Sequence, residues 1–149
     1  IQGRKNFELF KEKIGFIPKH KQARLMKILM SYRYPSDYVS LRDEFRTNFF
    51  KSAFTLTKSI VNYRYWLESR LKRKIHLTSI YDWHAGRYSV PLEVVGATAA
   101  LLNSNGIECS LANIRANIIS YRPNRNRLER TISQQTLSDI LEKSGFKIP

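Results

Sequence analysis

One cysteine in 149 residues, Cys109, excludes an internal disulfide framework and any cysteine-based zinc finger. With three scattered histidines beside it, metal-ligand chemistry has little to build on, and no metal site is expected. The longest stretch nearly free of charge, Tyr88 to Gly106, is interrupted by Glu93 and is rich in Ala, Ser and Asn, so no membrane span or membrane partner is expected. The chain contains neither GxxxxGK[ST] nor GxGxxG, the two short phosphate-cradling runs, and nothing asks for a cofactor. It opens on Ile1 rather than Met and carries no charged-then-apolar leader, leading to the expectation of an intracellular fragment of a longer protein, from cytoplasm, nucleoid or nucleus.

Acidic residues are also scarce: twelve against twenty-six Lys and Arg, a formal charge of +14. The excess is spread along the chain, with a net of +6 over residues 1–50, +5 over 51–100 and +3 over 101–149. A hydrophobic fraction of 42% with 12% aromatics is too high for a disordered basic tail, so the positive field belongs to a folded body. Such a field attracts polyanions through phosphate neutralisation and counterion release, which points to nucleic acid. A basic surface serving only solubility accounts for the same composition.

Apolar spacing indicates an all-α fold. Asn6 can cap a short helix bearing Phe7, Phe10 and Ile14, stopped by Gly15. Pro18 suits the start of a second helix, reaching Tyr32, with Leu25, Ile28 and Leu29 inward and His20, Arg24 and Lys27 forming a basic stripe. Turn chemistry at Tyr34-Pro35-Ser36-Asp37 follows. From Ser40, whose pairing with Asp43 has the outline of a capping box, apolar residues recur at steps of three or four as far as Leu71. This predicts one long helix, or two broken near Thr55–Ser59, ending in the cationic group Arg70, Lys72, Arg73 and Lys74. Ile75–Leu77 alternates like a short strand inside an ordered linker. The change of composition afterwards sets a domain boundary near residue 85, giving a basic helical section over 1–85 and a tri-helical domain over 86–149.

After Pro91 three helices are expected: one to Ser104 stopped by Asn105-Gly106, one capped by Ser110 and running to Ser120, and one capped by Ser133 and ended by Gly145. The run Ala99 to Arg115, AALLNSNGIECSLANIR, resembles the helix, glycine turn and Ser-capped helix of helix-turn-helix DNA-binding domains. Over residues 91–145 the likeness is to the tri-helical domain of plasmid KfrA-type proteins. Leu102 departs from the small residue usual four before the turn glycine, and the loop between the second and third helices is long. The resemblance implies duplex DNA as partner and a helix in the major groove. On the third helix Ser133, Gln134, Gln135 and Thr136 would meet base edges; on the second, Asn113 and Asn117 would. The resemblance favours the third helix. Electrostatics alone favours the second, because Asp139 and Glu142 follow on the third. Arg122, Arg125, Arg127 and Arg130 would hold phosphates, joined by Lys72, Arg73, Lys74, Arg24 and Lys27.

Three other chemistries compete. Asp37, Asp43 and Glu44 are close enough in sequence for a metal-dependent nuclease, although Asp43 and Glu44 equally suit a helix's first turn. Asp82 and His84 offer a carboxylate near an imidazole, and Cys109 has no evident base. The sequence leans away from catalysis. Interleaved Tyr and Arg at 62–66, with Tyr32, Tyr34, Tyr65 and Trp66 as stacking candidates, admit RNA or single-strand binding. The long helix also offers a surface for a homodimer or a partner protein.

Overall fold

The computed structural model describes residues 18–24, 37–123 and 131–149. The chain divides into two units, residues 1–34 and 35–149. In the first, residues 19–24 are helical, started by Pro18, whose carbonyl accepts from the amides of Lys21 and Gln22 at 2.9 and 3.0 Å. The helix expected from Asn6 lies outside the described residues, as do Lys27 and Tyr32.

The second unit is mostly helical, with a small sheet that the apolar spacing does not predict. In chain order it comprises β1 (Tyr38–Leu41), α1 (Asp43–Thr57), α2 (Ile60–Leu71), α3 (Leu77–Ala85), β2 (Val90–Pro91), α4 (Leu92–Ser104), α5 (Leu111–Ala116), β3 (Ile118–Arg122) and α6 (Gln134–Lys143). The sheet is antiparallel, in the order β2-β1-β3. In β1, Val39 and Leu41 point into the core, the period of two that a half-buried strand requires. Ser40 therefore caps no helix. Its hydroxyl meets that of Ser89 at 3.1 Å, and α1 begins after Arg42 without a side-chain cap.

The long apolar stripe is two helices. Lys58 takes a left-handed conformation (φ 74°), and the Ser59 hydroxyl then accepts from the amide of Asn62 to open α2. Helix α2 stops at Leu71, so Lys72, Arg73 and Lys74 lie beyond it and do not form a cationic last turn. Residues 77–85 are helical where a strand or linker was expected, and the strand is displaced to Val90–Pro91. Helix α5 ends at Ala116 rather than Ser120, because Ile118–Arg122 pairs with β1. This pairing carries a bulge between Ser40 and Leu41 that leaves Ile119 53% exposed.

Helices from both sides of residue 85 share one core, centred on α4. Eight of its residues are buried: Leu92, Val94, Val95, Gly96, Ala97, Thr98, Ala99 and Leu102. At Gly96 helix α6 and its tail come so close that an added Cβ would stand 2.8 Å from both Leu141 Cδ2 and Phe146 Cδ2. On α2, the Tyr63 hydroxyl meets the Thr98 hydroxyl at 2.6 Å, and both residues are fully buried. Burial pushes the Tyr63 phenol well above its ordinary pKa, keeping it a neutral hydroxyl. Arg46 closes the other end of the unit. Its guanidinium bonds Asp43 at 2.7 Å and the carbonyl of His84 at 3.1 Å, beneath Gly86.

A buried hydroxyl left without its partner costs about 1–3 kcal/mol, whereas removing both partners is nearly neutral. Tyr63→Phe is therefore expected to lower unfolding free energy by about that amount, and Thr98→Val added to it to recover most of the loss. Urea denaturation of the two single variants and the double variant checks this coupling; strictly additive losses would show that the hydroxyl pair contributes nothing.

Candidate nucleic-acid interface

The turn between α4 and α5 is clamped across its ends by the carboxamide of Asn103. Asn103 Nδ2 donates to the Cys109 carbonyl and Asn103 Oδ1 accepts from the Cys109 amide, both at 2.9 Å. Gly106 supplies the left-handed residue (φ 79°) that lets the chain reverse. The Ser110 hydroxyl then caps α5 by accepting from the amide of Asn113 at 3.1 Å. Gly106 and Ser110 thus do what their sequence context suggested; Asn103 was missed, although an Asn six residues before a capping segment was the available signal. Leu111 and Ile114 turn inward, leaving Ala112, Asn113, Arg115 and Ala116 exposed. Helix α6 opens as expected, with the Ser133 hydroxyl accepting from the amide of Thr136 at 3.1 Å.

The two sets of base-contact candidates have different surroundings. Ser133, Gln134, Gln135 and Thr136 are all exposed on the first turn of α6. Gln135 Nε2 donates to Asp139 at 2.9 Å, which leaves Gln134 as the carboxamide without that restraint. Arg115, which sequence reasoning also missed, reaches across from α5, its Nε bonding the carbonyl of Ile132 at 3.0 Å, next to the α6 cap. Asn113 and Asn117 instead line an open cleft of about 450 Å³ between α1 and the α4–α5 turn. Asn117 follows the end of α5, donating to the Asn113 carbonyl at 2.8 Å, and its own carbonyl accepts from the amide of Arg42. Glu44 and Glu108 stand at the same cleft, an unfavourable neighbourhood for phosphate.

The cationic candidates separate as well. Lys72, Lys74, Arg122 and Arg24 are exposed; Lys27, Arg125, Arg127 and Arg130 lie outside the described residues. Arg73 does not fit a phosphate contact. Its side chain is only 10% exposed and its Nε bonds Glu93 in the first turn of α4 at 2.8 Å. Tyr38 connects these groups, since it pairs with Arg122 in the sheet and feels the charges of Arg73, Glu93 and Arg122. Desolvation outweighs the two arginines and raises its phenol pKa. Arg122 and the Arg73–Glu93 pair are therefore both near Tyr38, at one end of the sheet. Asn117 is at the opposite end of β3, roughly 15 Å away at about 3.3 Å per residue.

The acids Asp37, Asp43 and Asp82 considered for catalysis have other partners, and His84 is packed among aromatic rings. Asp37 accepts from the Tyr121 hydroxyl at 2.8 Å, and Asp43 is paired with Arg46. Asp82 bonds Arg87 at 2.8 Å, while the His84 ring packs edge-on against Phe50 and Phe54. Among the described residues no three His, Cys, Asp or Glu side chains gather as a metal-ligand group, and no helix is long and apolar enough to cross a membrane. Of the stacking candidates, Tyr65 is 60% exposed beneath the Arg64 guanidinium, whereas Trp66 is half-buried against Tyr63. Tyr34 lies outside the described residues. No family model, curated protein or solved structure matches the chain.

Two measurements test these placements. Removing one member of a buried ion pair costs about 3–5 kcal/mol, so Arg73→Met is expected to lower stability by that order in urea denaturation, whereas Lys72→Ala and Lys74→Ala leave the midpoint unchanged. Burial also pushes the Cys109 thiol from 9.0 up to about 11. A group held neutral by the fold contributes stability below its unfolded pKa, and that contribution is lost as pH rises through the folded value. Wild type is expected to lose stability relative to Cys109→Ala between about pH 9 and pH 11; parallel pH profiles of the two would show that the thiol is not desolvated.

Proposed function

We propose that the protein binds nucleic acid, with double-stranded DNA preferred, by setting the first turn of α6 against base edges in the major groove. Gln134 is the principal reader, with Ser133, Gln135 and Thr136 beside it; Arg122, Arg125, Arg127 and Arg130 hold phosphates, and Lys72 and Lys74 extend the contact. The observation that carries this reading is the exposed, Ser-capped polar turn of α6 with Arg115 fixed at its foot, in a chain of charge +14. A helix N-terminus favours anions through its dipole, and a carboxamide can both donate to and accept from adenine. The resemblance to tri-helical helix-turn-helix domains supports the same assignment, with β3 as an added element between the last two helices. The acidic neighbours of Asn113 and Asn117 favour α6 over α5 as the reader. A second reading, stacking of unpaired bases, draws support from Tyr65, Tyr81 and Tyr88, exposed at 60%, 48% and 67%.

Fluorescence anisotropy against random duplex DNA, single-stranded DNA and structured RNA at two salt concentrations tests the assignment. Duplex is expected to bind best. The Arg122→Ala/Arg125→Ala/Arg127→Ala variant should bind more weakly, with a log–log salt slope smaller by about 0.9 for each phosphate no longer neutralised. Once a target is selected, Gln134→Ala should cost about 1–3 kcal/mol and relax specificity at one position. Equal binding of all three polymers, indifferent to those arginines, would remove the C-terminal reader. Single-strand preference abolished by Tyr65→Ala would establish the stacking reading instead.

A further inference from the structure

The cleft between α1 and the α4–α5 turn has a composition unlike the rest of the surface. Its apolar wall is Phe45, Phe49, Leu102, Ile107 and Cys109, with the Phe45 and Phe49 rings stacked at 5.4 Å and 20°. Its polar groups are mainly uncharged, namely the carboxamides of Asn48, Asn113 and Asn117 and the hydroxyl of Ser52. The three charged residues lining it are Arg42, Glu44 and Glu108, so the cleft is locally net negative on a chain of charge +14. Asn117 Nδ2 donates to both the carbonyl and the Oδ1 of Asn113, at 2.8 and 3.3 Å, fixing the orientation of these two carboxamides. Asn48 is exposed on α1 and its carboxamide has no hydrogen-bond partner among the described residues.

The geometry points to a binding site for a neutral purine nucleoside, with adenosine the best fit. A volume of about 450 Å³ lies within the range of small-molecule sites, roughly 300–1,000 Å³. The partly exposed Phe45 ring, backed by the buried Phe49, offers a face on which a flat heterocycle can stack, and the exposed Asn48 carboxamide matches the adjacent donor and acceptor of adenine at N6 and N7. The two carboxylates repel a phosphate, so the site selects a nucleoside over its nucleotide. This separates it from the cationic end of the sheet, at the far end of β3, and makes it independent of whether the protein binds a polymer. Because the cleft shares Asn113 and the α4–α5 turn with α5, an occupant touches the same element that positions Arg115.

Titration of the 149-residue chain with adenosine, cytidine and adenosine monophosphate, followed by amide chemical shifts, tests the site. Adenosine is expected to give saturable shifts confined to residues 42–52 and 102–117, with AMP binding several-fold more weakly. Asn48→Leu, on an exposed helix position that leaves the remaining spectrum in place, is expected to raise the dissociation constant about tenfold, a change of about 1.4 kcal/mol. Asn48→Gln should recover part of that loss. Absence of saturable shifts up to about 10 mM adenosine, far above the range of a useful small-molecule site, would overturn the proposal. So would AMP binding more tightly than adenosine, or an Asn48→Leu variant that titrates like wild type.

Discussion

Helix α4 can occupy the centre of the unit because almost nothing on it needs water. A helix apolar on all sides must be covered on all sides, and α4 is covered by α1 and α2, by β2 and by α6. Its one fully buried polar side chain, Thr98, is answered by Tyr63 from α2 at 2.6 Å. Its small residues set how closely its neighbours approach. Gly96 admits Leu141 and Phe146 where any side chain would collide, and Ala97 and Ala99 are buried with it. The consequence reaches the surface, for α4 runs directly into the turn that Asn103 clamps and Ser110 caps. The exposed residues of α5 and the start of α6 are thus placed by the most buried of the described helices.

The helical part of this arrangement was legible in the sequence because its signals are local. Apolar spacing found the stripe that α1 and α2 share, as one long helix or as two broken near Thr55–Ser59, and the structure has the second form; Ser110, Ser133, Gly106 and Gly145 marked the ends of the C-terminal helices. The sheet was not legible. Two residues of β1 pair with two of β2 and its four residues pair with four of β3, over separations of some fifty to eighty positions, and no local pattern announces such a partner. Ser40 and Asp43 imitated a capping box because the same residue types serve caps and turns alike. Ile118–Ser120 continued the helical count of α5 by sequence alone. The β-branched pair Ile118-Ile119, favourable in a strand and less so in a helix, was the available counter-signal.

The candidate site divides along the same line. Which residues are polar at the start of α6 is a local fact, and the sequence held it. Which charges remain available depends on pairing in three dimensions. Arg73 is spent on Glu93, Arg46 on Asp43 and the end of α3, and Arg87 on Asp82. Asp37 and Asp43, two acids of the candidate metal cluster, and Asp82, the acid beside His84, are instead partners of tyrosine and arginine, while Glu44 stands at the cleft.

Those pairings also shape the field. With Asp43, Asp82 and Glu93 each paired to an arginine, Lys72, Lys74 and Arg122 remain exposed, Arg122 at one end of the sheet. Glu44 and Glu108 stand at the cleft on the other end with Arg42 alone to oppose them. Exposed charges further apart than about 8 Å are largely screened at physiological salt. The two ends, roughly 15 Å apart along β3, therefore act as separate electrostatic environments within one small unit. Helix α5 presents Asn113 to the cleft and Arg115 to the foot of α6, so one short helix links that cleft to the polar start of α6.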